Sequence, residues 1–115
     1  MKSMILWLLV AFASANVMAK NIWCNGKVTN IYIDASNNVI INGTWRNHYT
    51  RICNTEDSSE VSIVTCSLWV SLATTSLTDD LQVTLMYDDQ GGTMTCANIP
   101  TYTGAPRPQY LMLLK

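Results

Sequence analysis

The stretch WCNGKVTNIYIDASNNVIINGTW, residues 23–45, decides how this chain is expected to fold. Its two halves, KVTNIYI (27–33) and NVIINGTW (38–45), are rich in β-branched and aromatic residues, which favour strands. The segment DASNN between them has the composition of a turn. The stretch therefore predicts a β-hairpin, with Cys24 just ahead of its first strand.

The chain after this hairpin predicts three more strands and one helix. HYTRIC (48–53), LQVTLMY (81–87) and QYLMLL (109–114) are expected to form strands three, four and five. CSLWVSLATTSL (66–77) has helical spacing and Thr65 or Ser67 as a candidate N-cap; its predicted buried stripe comprises Leu68, Trp69, Leu72, Ala73 and Leu77. The order β-β-β-α-β-β predicts an OB-fold, a five-stranded Greek-key barrel. A plain sandwich is the alternative, but the helix is hard to place in one.

The first nineteen residues predict a secretory signal peptide. Lys2 precedes an apolar run from Met4 to about Ala13, and Val17-Met18-Ala19 fits a small-residue cleavage site. The run is shorter than the roughly 20 residues that a membrane span needs. We therefore expect cleavage after Ala19, a single mature domain of residues 20–115, and a secreted or periplasmic location in a bacterium. A buried N-terminal helix is the alternative.

Four cysteines, Cys24, Cys53, Cys66 and Cys96, fall in the mature part and predict two disulfides. Of the three pairings, we favour Cys53 with Cys66, which closes a short polar loop, and Cys24 with Cys96, which ties the start of the domain to a segment near its end. A zinc site is the competing interpretation, but such sites need closely spaced ligands, and no two cysteines lie closer than thirteen positions. No metal or cofactor is expected.

The charge and the chemistry-bearing residues narrow the function classes. After the signal, six Lys or Arg and eight Asp or Glu remain, a net charge of −2, which argues against nucleic-acid binding. The single histidine, His48, is expected to be structural, and the cysteines are expected to be oxidised. No catalytic constellation of nucleophile and base is recognisable, so we do not expect an enzyme.

CNGKV (24–28), SLWVSLA (67–73), LQVTLMY (81–87) and Cys96 together resemble the receptor-binding B subunits of bacterial AB5 toxins, above all the Shiga toxin type. The Cys53–Cys66 pair is similar to a bridge in the subtilase-cytotoxin type. The resemblance implies an OB-fold whose edge strands pair between subunits in a ring of five, with the helices lining its centre. It also implies sugar binding on one face and an exported enzymatic A subunit as a partner.

This sequence departs from that family at three places. One residue fewer separates its first cysteine from the following glycine, and the acidic cluster of Shiga-type subunits falls on residues 34–38, where only Asp34 is charged. The tryptophan that this family carries just before the helix has no counterpart here. The glycolipid specificity of the family is therefore not carried over.

Aromatic and amide side chains are the candidate ligand-binding groups, because sugars are held by aromatic faces and by amides or carboxylates. The aromatic candidates are Trp23, Tyr32, Trp45, Tyr49, Tyr102 and Tyr110. Trp45, at a strand end, is expected to be the most exposed, and Trp69 is expected to pack.

In the resembling family, the first hairpin and the region after the second strand jointly form a sugar site. The resemblance therefore implies a site composed of Asp34, Ser36, Asn37, Asn38, Trp45 and Asn47. Turn formation alone would also explain the composition of DASNN.

The sequence thus predicts a secreted, non-enzymatic, oligomeric protein that binds a cell-surface glycan or glycoprotein. An exported interaction or inhibitor domain that uses the OB face is the main alternative. Single-stranded nucleic-acid binding, another use of the OB-fold, is disfavoured by the charge.

Overall fold

A computed structural model describes residues 20–89 and 91–115 of the chain. Within these residues lie one helix and five strands, in the predicted order: β1 (Lys20–Ile33), β2 (Asn38–Gly43), β3 (His48–Asn54), α1 (Ile63–Asp79), β4 (Gln82–Asp89) and β5 (Tyr110–Leu113). The predicted mainly-β class with one helix is confirmed. The predicted signal peptide, residues 1–19, lies outside the described residues.

The five strands form one antiparallel sheet in the order β3-β2-β1-β4-β5. β1 is shared between two halves of this sheet: Lys20–Lys27 pairs with β4, and Val28–Ile33 pairs with β2. A bulge between Val28 and Asn30 marks the change of partner, and bulges increase the local bend and twist of a strand. The sheet is open, with β3 and β5 as its edges, so the predicted barrel closure is not seen.

Two strand boundaries differ from the sequence prediction, one because of strand pairing and one because of a turn. β1 begins at Lys20 rather than Lys27, because its first half pairs with β4, which is distant in the sequence. β2 ends at Gly43 rather than Trp45, since the chain turns there: the backbone N–H of Asn47 donates to Gly43 O at 2.8 Å.

α1 begins before the predicted residue and buries a different stripe. Ser62 is the N-cap, and its hydroxyl accepts from the backbone N–H of Thr65 at 3.1 Å, so the predicted caps, Thr65 and Ser67, are wrong. The buried positions are Cys66, Trp69, Ala73 and Ser76. Leu68 and Leu77 of the predicted stripe are 60% and 40% exposed, so these two predicted positions are wrong.

Both predicted disulfides are present, Cys24–Cys96 and Cys53–Cys66. By loop-closure entropy, they stabilise the fold by roughly 4 and 3 kcal/mol respectively. Two disulfides are typical of extracellular or periplasmic proteins. Their enclosed loops differ greatly, with sequence separations of 72 and 13 residues.

The core lies between α1 and the inner face of the sheet. Its strand residues include Val39, Ile41, Val83 and Leu85, all fully buried, and Trp69 packs there as predicted. Buried Ser76 joins helix and sheet at the point where β1 changes partner: its hydroxyl accepts from Val28 N–H at 3.1 Å and donates to Leu81 O at 2.6 Å.

Candidate functional site

The tip of the first hairpin is organised by the carboxylate of Asp34. Asp34 accepts hydrogen bonds from the backbone N–H of Ser36 at 2.9 Å and of Asn38 at 3.0 Å, and from Asn38 Nδ2 at 3.2 Å. These bonds, above all the one from the Asn38 backbone, hold the pKa of the Asp34 carboxyl below its usual range. The carboxylate predicted to face a ligand is therefore engaged in shaping its own turn.

Asn37 and Asn38 at the tip have different roles in the turn. Asn38 is buried, and its Oδ1 accepts from Asn54 Nδ2 at 3.1 Å, while the same Asn54 amide also reaches Ser36 O at 2.9 Å. Asn37 takes the left-handed conformation that the turn requires, with φ of 71°. Asn54, which sequence reasoning missed, thus clamps the hairpin tip to the end of β3.

Trp45 and Asn47 lie at the other end of β2 from the tip. β2 runs from Asn38 of the tip to Gly43, a length of about 17 Å at the usual rise of a strand. The structure therefore does not bring the six predicted residues together in one cluster. Whether either group binds a ligand remains a prediction.

The Trp45 side chain packs against neighbouring residues and is not freely exposed to solvent. Its indole lies against Gly43 and Gly26, where an added Cβ at Gly43 would collide with the ring and one at Gly26 would lie 3.1 Å from Trp45 Cε3. The side chain is partly buried against the core. The expectation that Trp45 is the most exposed aromatic is wrong: Trp23 is 52% exposed. Two glycines on neighbouring strands create the shallow seat that Trp45 fills.

Four aromatic rings form a continuous band over β1, β2 and β3. Tyr32 and Tyr49 meet edge to face with ring centroids 5.6 Å apart, and Tyr49 and Tyr102 stack at 5.8 Å with 16° between their planes. His48 meets Tyr102 edge to face at 5.9 Å. We call Tyr32, Tyr49, Tyr102 and His48 the aromatic band.

Strand alternation explains why Tyr32 and Tyr49 lie on the outer side of the sheet. Val39 and Ile41 of β2 belong to the core, so Ile40 and Asn42 face the other way. Both are nonetheless buried, and their register places them between Tyr32 and Tyr49. The tyrosines therefore cover a second, small buried layer outside the main core, made of the apolar Ile40 and the polar Asn42.

Tyr102 reaches the band from a distant loop and is held in an unusual backbone conformation. Its N–H donates to Tyr49 O at 3.0 Å, and its carbonyl accepts from Arg51 N–H at 3.1 Å. Its φ is 51°, a left-handed value that costs a residue with a side chain about 1–2 kcal/mol. Such strain is concentrated at functional sites and persists only where surrounding contacts enforce it.

The band connects the two groups of predicted residues. Burial raises the pKa of the Tyr32 phenol, with smaller contributions from Tyr102, Asp34 and Tyr49, so Asp34 is electrostatically close to the band. At the other end, Asn47 is the chain neighbour of His48. Tyr32 and Asp34 therefore mark one end of a surface whose other end is Asn47. Its middle depends on Tyr102, which no local sequence signal assigns to β3.

Two further observations concern metal binding and membrane crossing. Among the described residues, no group of three or more His, Cys, Asp or Glu side chains is arranged to hold a metal ion. The one described helix is too short or too polar to cross a bilayer.

Comparison with known proteins identified no relative of this chain. No protein-family model, no curated protein and no solved structure matches the chain.

Proposed function

We propose that this protein is a secreted, non-enzymatic OB-fold protein that binds a cell-surface glycan through the aromatic band and resembles an AB5 toxin B subunit. The observation that carries the proposal is the aromatic band itself, with Tyr102 held in a strained conformation against Tyr49. The strand order β3-β2-β1-β4-β5, with a long bent β1 shared by both halves of the sheet, supports the OB-fold assignment.

A sugar fits the chemistry of the aromatic band better than an apolar ligand does. Aromatic side chains combine a large apolar face with fixed geometry, which suits the C–H face of a pyranose. Tyr32 and Tyr102 are 38% and 44% exposed, so their rings are accessible. Phenol hydroxyls and the exposed amide of Asn47 supply partners for sugar hydroxyls.

The backbone strain at Tyr102 also favours a binding role. If the loop only connected β4 to β5, a glycine or asparagine would occupy this left-handed position at lower cost. The tyrosine ring compensates only in part by stacking on Tyr49. A residue retained for its ring at a strained position is expected where that ring contacts a ligand.

Assembly into a homo-oligomer is supported by the outer surface of α1. No charged residue occurs from Ile63 to Thr78, and Val64 and Leu68 are 71% and 60% exposed. They lie one turn apart on the side opposite buried Trp69 and Ala73, so they form one apolar strip. Exposed apolar strips on soluble proteins mark interaction surfaces, and we assign this one to copies of the same chain, with five as the favoured number.

The edge of the sheet at β5 favours the same arrangement. β5 has four residues, and no other described strand lies beyond it. At the opposite edge, the backbone of Tyr102 already pairs with Tyr49 and Arg51 of β3. A free edge invites pairing with another chain, and a closed ring of copies would cover the edge of β5.

Glycan binding is tested with an oligosaccharide array and Tyr102→Ala. The substitution removes the central ring of the aromatic band, so we expect at least a tenfold loss of affinity for the glycans that the parent binds. Thr101→Ala, at the adjacent exposed position, is the matched control and should bind as the parent does. A parent that binds no glycan, or a Tyr102→Ala variant that binds equally well, would contradict the proposal.

Assembly is tested by light scattering on Leu68→Lys. A lysine in the strip would place an unpaired charge in the interface, so the variant should be monomeric at tens of micromolar, where the parent should be an oligomer. Thr74→Lys adds the same charge on the flank of the helix and should leave the oligomer intact. A monomeric parent would instead favour the second candidate, an exported domain whose α1 strip binds a different protein.

A further inference from the structure

Two arginine side chains hold the loop that carries Tyr102, one on each side of that residue. The guanidinium of Arg46, in the turn between β2 and β3, donates through Nη1 to Ile99 O. The guanidinium of Arg51, in β3, donates through Nη2 to Ala105 O at 3.4 Å. Ile99 lies three residues before Tyr102, and Ala105 lies three residues after it. We call Arg46 and Arg51 the arginine pair.

The two carbonyls that the arginine pair binds belong to an irregular, buried segment. Ile99 and Ala105 lie between β4 and β5, and each is only 2% exposed and packs in the core. A buried backbone carbonyl without a hydrogen-bond partner costs free energy comparable to a lost hydrogen bond. The arginine side chains supply these partners, so the segment stays packed on both sides of Tyr102.

Each member of the arginine pair is itself held in place. Arg51 is partly buried beside Glu60, with its Nη2 atom 3.6 Å from Glu60 Oε2. Partial burial lowers the pKa of the Arg46 guanidinium. A charged group leaves water favourably only where a protein partner replaces the water, and for Arg46 this partner is the carbonyl of Ile99.

The other contacts of Tyr102 work against its backbone strain. Its N–H donates to Tyr49 O at 3.0 Å, and its carbonyl accepts from the N–H of Arg51 at 3.1 Å. Its left-handed φ of 51° is unfavourable for a residue with a side chain, and its ring is exposed, so burial adds little. By fixing the chain on both sides of Tyr102, the arginine pair reduces the number of backbone conformations that compete with this one.

We infer that Arg46 and Arg51 are positioning residues, which hold segment 99–105 so that the Tyr102 ring is stacked on Tyr49 before a ligand binds. The consequence for glycan affinity rests on the proposed function. If the ring is in place in only a fraction of the molecules, the apparent affinity falls by that fraction. Loss of either arginine therefore weakens binding although neither side chain contacts the glycan.

The first test follows the Tyr102 ring by NMR, without any glycan, in the parent, Arg46→Met and Arg51→Met. Methionine keeps an unbranched stem but donates no hydrogen bond. Stacking on Tyr49 shifts the ring protons of Tyr102 upfield, and comparison with Tyr102→Ala assigns their signals. We expect both methionine variants to lose most of this shift. Arg107→Met, which removes an exposed guanidinium from the same loop, is the matched control and should retain it.

The second test measures the affinity of the same variants on the oligosaccharide array. Arg46→Met and Arg51→Met should each bind about fivefold more weakly, the factor expected for one lost hydrogen bond, and the double variant should approach Tyr102→Ala. Arg46→Lys keeps a charged donor and should retain most of the ring shift and of the affinity. Urea denaturation identifies a variant that fails to fold, and Arg51→Met decides the test alone if Arg46→Met does.

Two outcomes would overturn the inference. If the folded methionine variants keep the ring shift and the affinity of the parent, the backbone bonds to β3 are sufficient to position Tyr102. If they keep the shift but bind more weakly, the arginines contact the glycan directly. If the shift is lost and the parent itself binds no glycan, the proposed function fails while the positioning role of the arginine pair is confirmed.

Discussion

The hairpin tip and the aromatic band contain residue types suited to sugars, but they use them differently. At the tip, the Asp34 carboxylate and the Asn38 amide are bonded to the chain itself. In the aromatic band, the rings contact one another and leave faces exposed at Tyr32 and Tyr102. Residue composition therefore does not distinguish a turn from a binding site. The distinction comes from whether the polar side chains already have hydrogen-bond partners within the protein.

The largest effect expected concerns the disulfide that anchors the segment carrying Tyr102. Replacing Cys24 and Cys96 together by alanine should lower the free energy of unfolding by about 4 kcal/mol, because the bridge closes the longer loop. The loss should also weaken glycan binding, since Tyr102 then depends on contacts with β3 and the turn before it alone. Urea denaturation and the glycan array measure the two effects.

The control for this change is the same substitution at Cys53 and Cys66. It should cost about 3 kcal/mol and leave binding at the aromatic band unchanged, because this bridge connects β3 to α1. A smaller loss from removing Cys24–Cys96 than from removing Cys53–Cys66 would show that loop closure does not govern their contributions.

The next effect separates Trp45 from the aromatic band. Trp45→Ala should lower the free energy of unfolding by about 3 kcal/mol, because the ring fills the seat above Gly26 and Gly43. Glycan affinity at the aromatic band should stay at the parent value. Gly43→Ala should also destabilise, by about 1–3 kcal/mol, since its Cβ collides with the indole. A stable Trp45→Ala variant that has lost binding would restore Trp45 as a ligand residue.

A smaller effect on stability, with a clear effect on binding, is expected at Tyr102. Tyr102→Gly removes the ring and relieves the left-handed strain, so the free energy of unfolding should change by less than about 1 kcal/mol. Affinity should fall at least tenfold, which is about 1.4 kcal/mol. Tyr102→Ala keeps the strain and should be less stable than Tyr102→Gly. Equal stability of the two variants would contradict the strain argument.

The smallest effect is the pH dependence contributed by Asp34. Its pKa is lowered in the folded protein, so its stabilising contribution is present above the unfolded value of about 3.9 and is lost as the pH falls through the folded value. Asp34→Asn should therefore be less stable than the parent at neutral pH. The two proteins should become equal in stability once the pH is below the folded pKa of Asp34. Urea denaturation across this range measures the difference, and a gap that persists at low pH would show that charge is not its cause.

Features that depend on interactions between residues close in the sequence were predictable, and features that depend on distant residues were not. The hairpin, the order of strands and helix, and both disulfides depend on local composition, periodicity and loop length, and all were predictable. The start of β1 at Lys20 was not, because it depends on pairing with β4 some sixty residues later. The buried face of α1 was missed in part for the same reason: Cys66 is bonded to Cys53 of β3, and Ser76 is hydrogen-bonded to Val28 of β1, both of which lie far from the helix in the sequence.

The candidate site was only partly predictable. The sequence pointed to the first hairpin and to an excess of aromatic residues, and Tyr32 and Asp34 lie at that hairpin. It could not reveal that Asn54 and Asn38 bond to each other, or that Trp45 packs on glycines from two strands. Whether a side chain of a given type has a structural role or stays accessible to a ligand depends on contacts with residues that are distant in the sequence.

The sequence by itself determined the element types and the staples, since backbone propensity, alternation and cysteine spacing act over a few residues or through covalent bonds. Only the tertiary structure decided which surfaces stay open. Tyr102 joins Tyr49 because a loop after β4 is bonded to the edge of β3, and Tyr110 meets Trp23 because β4 brings β5 next to β1. Both aromatic contacts arise from sheet pairing between distant segments, and the free energy of such pairing depends on the whole core that holds the strands in register.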